Sequence, residues 1–227
     1  MILVLAPAGD AGAAALVSEL APARASVLSC VDLVSSHSCL RHPDFAASTL
    51  TVAGDRVAVS DISAVVNVLA AVVPAQLTCY DAEEREYQAA ELHAWLAFLL
   101  SALECPVVNR PSSLSLTGPV LNPLGWMHRA RACGLPLAAM AVCSDELTAA
   151  EPVPASRRVT VTWVRGMAAR SAAERCTETL ARRCDLAHLR AWYVVDDRGQ
   201  ARFAGARSLP DLACERTRAA LVDALAP

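Results

Sequence analysis

Two arginines, a histidine and an asparagine have the types and positions that most suggest ligand chemistry. Asn109-Arg110-Pro111 follows a short apolar segment, and Arg207 ends a late alternating segment. The guanidinium group of arginine is a planar fork that matches a carboxylate or a phosphate. His128 is a candidate general base, with a structural role as its alternative. We predict that Asn109, Arg110, His128 and Arg207 bind a ligand in a cleft between two halves of the chain. For each arginine, the alternative is a solvated surface position.

Two tryptophans fall on adjacent predicted strands in the last third of the chain, at Trp163 and Trp192. Binding pockets are lined mainly by apolar and aromatic side chains. The indoles are therefore predicted either to line the same cleft or to fill it as hydrophobic core. No residue is assigned a catalytic role, because the sequence contains no Ser/His/Asp elbow, no P-loop and no G-x-G-x-x-G motif.

Lysine is missing altogether, since all 20 basic residues are arginine. No lysine ammonium is available to hold a nucleotide phosphate, form a Schiff base or act as a base of lowered pKa. The nine cysteines include no C-x-x-C pair, and no Cys/His group has the spacing of zinc ligands. We therefore predict no metal site and no cofactor. The odd, scattered set of cysteines also argues against a secreted disulfide framework.

Charge and hydropathy exclude several kinds of partner. The formal net charge of −3 provides no basic field for nucleic acid or an anionic membrane. The longest apolar run, residues 62–73, contains Ser63 and Asn67 and is too short to cross a bilayer. The start, residues 1–6, has no basic segment before it and indicates a first strand rather than a signal peptide. A soluble, cytoplasmic protein is predicted.

The first half of the chain has the pattern of an α/β domain. Residues 2–6, 11–20 and 26–31 indicate strand, helix and strand, the order of a parallel sheet. A hairpin is predicted around residues 53–56, and a buried strand follows at 64–69.

The clearest helix follows, and Asp81 with Glu84 is predicted to form its capping box. Its apolar face comprises Leu92, Trp95, Leu96, Leu99, Leu100 and Leu103. A short strand is predicted at 105–109. A further helix is predicted to begin at the cap Asn122 with Pro123 behind it, and to end at Gly134.

The second half has a different order. Residues 158–165 indicate a strand, and Ser171 with Glu174 a capping box that opens a helix. Two strands then flank a turn at 196–199, and Ser208 with Asp211 is predicted to open the last helix.

This order is β-α-β-β-α, and it predicts a mainly antiparallel sheet. We therefore predict an α/β domain with its connecting helix over 1–143, a polar linker over 144–157, and an α+β domain over 158–227.

Three stretches of the chain resemble the ATP-grasp ligases that modify ribosomal peptides, relatives of the graspetide and glutamate-adding enzymes. The first is the β-α-β start with Asp10 after strand one. The second runs from Tyr87-x-x-x-Glu91 through the leucine-rich helix to residues 107–111 and 122–136. The third is the C-terminal β-α-β-β-α order, in which the segment 191–207 is similar to the two metal-site strands of that family. The resemblance implies a Rossmann-like pre-ATP-grasp domain packed on a small, truncated ATP-grasp-like domain.

The sequence departs from this family where the family uses ATP. A family lysine is replaced at Asn122-Pro123, and only residues 137–157 stand where the family has its nucleotide-clamping subdomain. The family's first metal-site strand has an aspartate where Trp192 stands. Its second reads Phe-x-Glu-Val-Asn, and here Gly205 and Arg207 replace the carboxylate and the amide. Mg²⁺ needs oxygen ligands, so an arginine would repel it.

The resemblance and its departures together predict a homologue that has lost ATP- and Mg²⁺-dependent ligase chemistry, in effect a pseudoenzyme. It would bind a peptide or small-molecule substrate, or a partner enzyme, in a bacterial pathway for ribosomal peptides or other natural products. One alternative is a repurposed, cofactor-free enzyme that uses Arg110, His128 or Arg207. Another is a non-catalytic scaffold subunit, and a homodimer is left open.

Overall fold

The computed structural model describes residues 1–20, 24–139, 158–196 and 198–225. Contacts between residues group the chain into two compact units. The first consists of Met1–Pro119 together with Leu209–Pro227, and the second is Val120–Ser208. The predicted linker at 144–157 lies outside the described residues.

The first unit is built on a parallel sheet, as its β-α-β pattern predicts. Its elements are β1 (Ile2–Leu5), α1 (Ala11–Glu19), β2 (Ala25–Leu28), α2 (Cys30–Val34), β3 (Thr49–Val52), β4 (Asp55–Ala58), β5 (Ala64–Asn67), α3 (Arg85–Ala102) and β6 (Val107–Val108). Four strands pair in parallel in the order β2-β1-β5-β6, and β3 and β4 form a separate antiparallel hairpin. β1 is buried at every position because it lies at the centre of the sheet.

Helix α3 supplies the main helical face of this core. Leu96, Leu99, Leu100 and Leu103 are buried in one cluster with residues of the sheet, and Leu92 and Trp95 pack against it half-buried. The predicted apolar face is therefore confirmed. The predicted capping box is wrong, because α3 begins at Arg85 with Glu84 as N-cap and no side-chain cap. The main-chain oxygen of Asp81 instead accepts the N–H groups of Glu84 and Arg85 in a turn before the helix.

The last helix, α6 (Glu215–Leu225), returns to the first unit and packs against α1. A Cβ on Gly12 would lie 2.6 Å from the carbonyl carbon of Leu212, so only glycine permits this close approach of α1. The prediction that Ser208 and Asp211 open the helix is wrong. The preceding segment forms a turn in which Cys214 N–H donates to the Asp211 carbonyl oxygen.

The second unit has the predicted antiparallel sheet. Its elements are α4 (Pro123–Ala132), β7 (Arg158–Val164), α5 (Ala172–Arg183), β8 (His188–Val195) and β9 (Ala201–Arg207). The strands pair in the order β7-β8-β9. The Ser171–Glu174 capping box and the Asn122 cap with Pro123 behind it are confirmed. These caps satisfy main-chain N–H groups that have no partner inside a helix.

The compact units divide the chain at other positions than the predicted domains. Trp126, Met127 and Ala130 of α4 join the core of the second unit, which therefore begins before residue 143. α6 belongs to the first unit and not to the second. Across the described ranges, no helix combines the length and apolar character that a membrane span requires.

Candidate functional site

The three-stranded sheet of the second unit has two unlike faces. Directly paired residues on neighbouring strands share a face. One face carries Val161, Tyr193 and Phe203, which are buried in a core with side chains of α4 and α5. The other, here named the Trp192 face, carries Arg158, Thr160, Thr162, Val164, His188, Arg190, Trp192, Val194, Arg202, Gly205 and Arg207. Val164 and His188, at one end of this face, are buried. We take this second face as the candidate site.

A bulge in β9 decides which residues reach the Trp192 face. Tyr193 pairs with Phe203, whereas Trp192 pairs with Gly205, so Ala204 is an extra residue between the two pairs. Strict alternation would put Phe203, Gly205 and Arg207 on one face. The extra residue shifts the register by one and moves Gly205 and Arg207 to the face opposite Phe203.

The indole of Trp192 lies against the main chain of Gly205. A Cβ placed on Gly205 would lie 2.6 Å from three atoms of the indole, Cε2, Cζ2 and Nε1. Real Cβ atoms do not approach other heavy atoms this closely, so no side chain at position 205 fits beside Trp192 in this arrangement. The tryptophan fills the space into which a longer residue at 205 would project.

Replacing Gly205 with alanine is expected to lower the free energy of unfolding by about 1–3 kcal/mol, the usual cost of overpacking. In a Trp192→Ala background the same change should cost less than about 0.5 kcal/mol, since the clashing ring is gone. Urea unfolding of the four proteins measures this double-mutant cycle. An equal cost in both backgrounds would show that the indole does not occupy this space.

Two arginines lie next to Trp192 on neighbouring strands. Arg190 and Arg207 are direct partners across β8 and β9. Like charges directly opposite each other destabilise a sheet, and an anion bound beside Arg207 would offset its part of that repulsion. Arg207 is exposed, and no ion-pair partner for it occurs among the residues that the structure describes.

Arg202 differs from Arg207 because its charge is compensated locally. Its Nε donates to Oδ2 of Asp196 at 3.1 Å. The main-chain N–H of Gln200 and the Arg202 side chain hold the pKa of the Asp196 carboxyl below its usual range. Within the Trp192 face, the positive charge of Arg202 is therefore paired with a carboxylate, whereas among the described residues that of Arg207 is not.

The other predicted site residues of the second unit lie elsewhere. Trp163 is 3% exposed and belongs to the core, on the face opposite Trp192. The sheet thus separates the two indoles, and Trp163 takes the core role that was its alternative. His128 is exposed on α4, a helix that packs into the same core on the side away from the Trp192 face. Of the predicted residues, Trp192 and Arg207 are brought together here.

Asn109 and Arg110 lie in the first unit, where the structure gives Arg110 a local role. Its guanidinium donates to the carbonyl oxygens of Leu100 at 2.9 Å, Leu103 at 2.8 Å and Cys105 at 2.9 Å. The last carbonyls of a helix have no partner inside it, and Arg110 satisfies them at the end of α3. Asn109 is buried with a positive φ of 55°.

Sequence reasoning did not single out Arg190. A signal was present, because Arg190 and Trp192 are two residues apart on one predicted strand, and residues with that spacing lie on the same face of the sheet.

The described residues do not meet the requirements of a metal site. No group of three or more His, Cys, Asp or Glu side chains that would hold a metal ion occurs among the described residues.

No protein-family model matches the sequence, and no curated protein matches it. Solved structures do match. The macrocyclase MdnC from Microcystis aeruginosa MRC, bound with its precursor peptide MdnA, matches with a TM-score of 0.69 and 9% identity, covering 100% of this chain and 99% of that chain.

A Chryseobacterium gregarium RiPP-associated ATP-grasp ligase, in complex with ADP and a leader and core peptide, has a TM-score of 0.68 and 11% identity, covering 99% of this chain and 96% of its own. The ATP-grasp ligase PsnB, complexed with a minimal precursor, Mg and ADP, has a TM-score of 0.67 and 13% identity, with coverage of 99% and 96%. The chain therefore has the fold of these peptide-modifying ATP-grasp ligases, as the resemblance implies.

Proposed function

We propose that this protein, which has the ATP-grasp fold, has lost ATP- and Mg²⁺-dependent ligase chemistry and binds a carboxylate-bearing peptide in a bacterial pathway for modified peptides. The observation that supports this most is the Trp192 face, where an indole lies on Gly205 and two arginines stand opposite each other. The face is suited to an anion and unsuited to a divalent cation.

The residues of this sheet do not fit Mg²⁺. Mg²⁺ binds through oxygen ligands, usually one or two carboxylates together with substrate phosphates. The sequences of β7, β8 and β9 contain no Asp or Glu. Trp192 occupies the space beside position 205, and Arg207 adds a positive charge.

The amino-acid composition points the same way for ATP. Phosphoryl transfer depends on positioning and on charge neutralisation around the phosphates, which metal ions and lysine commonly provide. The chain contains no lysine. Its arginines bind phosphates and carboxylates alike through the planar fork, but they do not bring a metal to the β- and γ-phosphates.

A peptide is the proposed partner because of the structures that share the fold. MdnC is bound with a precursor peptide, and the Chryseobacterium ligase with a leader and core peptide. Aspartate, glutamate and the chain terminus supply carboxylates, with which arginine forms short, charge-assisted hydrogen bonds. Trp192 offers an apolar surface beside that charge, and Thr160 and Thr162 offer hydroxyl groups on β7.

Two titrations test the proposal on the whole chain. A ligand that binds only the folded state raises the melting temperature. Because we propose that ATP with Mg²⁺ does not bind, raising both to millimolar concentration is expected to leave the melting temperature unchanged. An N-acetylated oligoglutamate peptide is expected to bind saturably in calorimetry. Arg207→Ala should weaken that binding about tenfold, which corresponds to about 1.4 kcal/mol.

Arg183→Ala is the matched control, since it removes an exposed arginine from α5, away from the Trp192 face. It should leave the affinity within about twofold of the parent, a change well below 1 kcal/mol. Saturable stabilisation by ATP that requires Mg²⁺ would overturn the loss of ligase chemistry. Peptide binding that Arg207→Ala and Arg183→Ala weaken equally would overturn the assignment of the site.

A further inference from the structure

A groove in the first unit lies on the outer side of α3, at a distance in sequence from every residue of the Trp192 face. It has a volume of about 520 Å³, within the usual range of about 300–1,000 Å³ for binding pockets. Its apolar lining consists mainly of Leu33, Leu40, Tyr80, Leu92, Trp95 and Phe98. Leu92 and Trp95 of the predicted apolar face of α3 remain half-buried at this groove, and Phe98 beside them is exposed. The proposed function gives the groove no role.

Several contacts hold the walls of the groove in place. The rings of Phe45 and Phe98 meet edge to face with centroids 5.8 Å apart, although Phe98 is 44% exposed. Leu92 and Trp95 rest half-buried on the core cluster. Arg85 Nε donates to the Tyr80 carbonyl oxygen at 3.0 Å, which ties Tyr80 to the start of α3. The groove is therefore formed before any partner arrives.

One carboxylate lies in this apolar lining, on Glu91. No arginine or histidine lines the groove within the described residues. At the start of α3, Glu84 and Glu86 flank the single positive charge of Arg85, so the charge of this helix start is negative overall. Charge complementarity therefore favours an occupant that is apolar on one side and carries a basic residue beside it.

The shape and chemistry of the groove favour a helix over an extended strand. The lining runs along α3 from Gln88 to Phe98, which at 1.5 Å per residue is roughly 15 Å, or about three helical turns. A bound strand would need unpaired main-chain groups from a sheet edge, and the lining contains none of the strands β1–β6. A helix satisfies its own main-chain hydrogen bonds and needs only an apolar groove.

We infer that this groove binds an amphipathic helical segment of another polypeptide, with leucine-like side chains against Trp95 and Phe98 and a lysine or arginine paired with Glu91. It is a second site, separate from the proposed anion site and independent of it. It gives the chain a means of docking a partner protein through one of that protein's helices.

The test uses a fluorescein-labelled peptide about three turns long, with leucines at helical spacing on one face and lysines on the flanks. A second peptide replaces each lysine with glutamate. Fluorescence anisotropy with the full chain is expected to give an affinity for the lysine peptide at least tenfold higher than for the glutamate peptide. Phe98→Ala should weaken the lysine peptide about tenfold, as loss of an aromatic anchor does. Glu91→Arg should reverse the preference between the two peptides.

Tyr87→Ala is the matched control, because Tyr87 is 66% exposed on the same helix and does not line the groove. This variant and Arg207→Ala should leave binding unchanged, which separates this site from the anion site. Equal affinity for the two peptides, absence of saturable binding, or an unaltered preference in Glu91→Arg would each overturn the inference. So would a dimer in sedimentation that Phe98→Asp dissociates, since a second copy would then be the occupant.

Discussion

Replacing Leu96 with alanine should lower the free energy of unfolding by about 2–5 kcal/mol, the range for a leucine truncated in a packed core. Leu96 is 0% exposed in the middle of α3, inside the core cluster of the first unit. The change removes buried apolar surface and leaves a cavity that neighbours in a helix and a sheet fill only in part. Urea unfolding at constant slope measures the effect.

Leu114→Ala is the matched control, because it makes the same chemical change at a side chain that is 79% exposed. Its expected cost is below about 0.5 kcal/mol. If the two variants unfolded at the same urea concentration, Leu96 would not belong to the core, and the buried face of α3 would be misassigned.

Alkaline pH is expected to destabilise the second unit through Tyr193. Burial raises the pKa of the Tyr193 hydroxyl from 10.0 to about 12, and the hydrogen bond with Thr177 opposes this in part. The contribution of Tyr193 to the free energy of unfolding is fully present below pH 10, where the tyrosine is neutral in both the folded and the unfolded state. It is lost between pH 10 and 12, because the unfolded chain ionises there while the folded chain retains its proton. A shift of this size corresponds to about 2–3 kcal/mol.

Buried and half-buried cysteines are also expected to lower the free energy of unfolding at alkaline pH, and their effect begins at a lower pH than that of Tyr193. Burial raises the pKa of the Cys30, Cys105, Cys176 and Cys184 thiols, so the folded state resists their ionisation as well. The unfolding free energy should therefore begin to fall near pH 9 and fall more steeply above 10.

Tyr193→Phe isolates the tyrosine contribution, since phenylalanine does not ionise. The variant should be less stable at neutral pH, because the Thr177 hydroxyl loses the Tyr193 hydroxyl 2.8 Å away, although it keeps its hydrogen bond to the Ala173 carbonyl oxygen. Its stability should nevertheless fall less between pH 10 and 12. Tyr87→Phe, at a tyrosine 66% exposed, is the control and should keep the parent slope. An unchanged slope in Tyr193→Phe would mean that Tyr193 ionises as easily in the folded protein as in the unfolded one.

Local signals in the sequence predicted much of the fold because they act within one turn. The Ser171–Glu174 box joins groups three residues apart, and its side chains satisfy the helix end without help from the rest of the chain. The box predicted at Asp81 and Glu84 has the same spacing, yet α3 begins later. There the turn hydrogen bonds of Asp81 and the contact of Arg85 with the Tyr80 carbonyl set the helix start, and spacing alone does not reveal them.

The same limit applies to Arg110. In the sequence, Arg110 follows a predicted strand and is a candidate for binding an anion. Its guanidinium instead reaches back to carbonyls five to ten residues earlier, at the end of α3. Only the packing of the helix end beside β6 brings these groups within hydrogen-bonding distance.

Residues 26–31 were predicted as one strand, although helix α2 begins at Cys30. The sequence by itself determined most of the order of elements, the change from a parallel to an antiparallel sheet, the absence of lysine, and the absence of Asp and Glu from β7–β9. These follow from periodicity and composition, which are local or global properties of the chain. The tertiary structure decided that Trp192, Gly205 and Arg207 share one face. Alternation from Phe203 would have put Gly205 and Arg207 in the core, and the single extra residue in β9 moved them out. A bulge depends on pairing between strands, and pairing between strands is a property of the folded sheet.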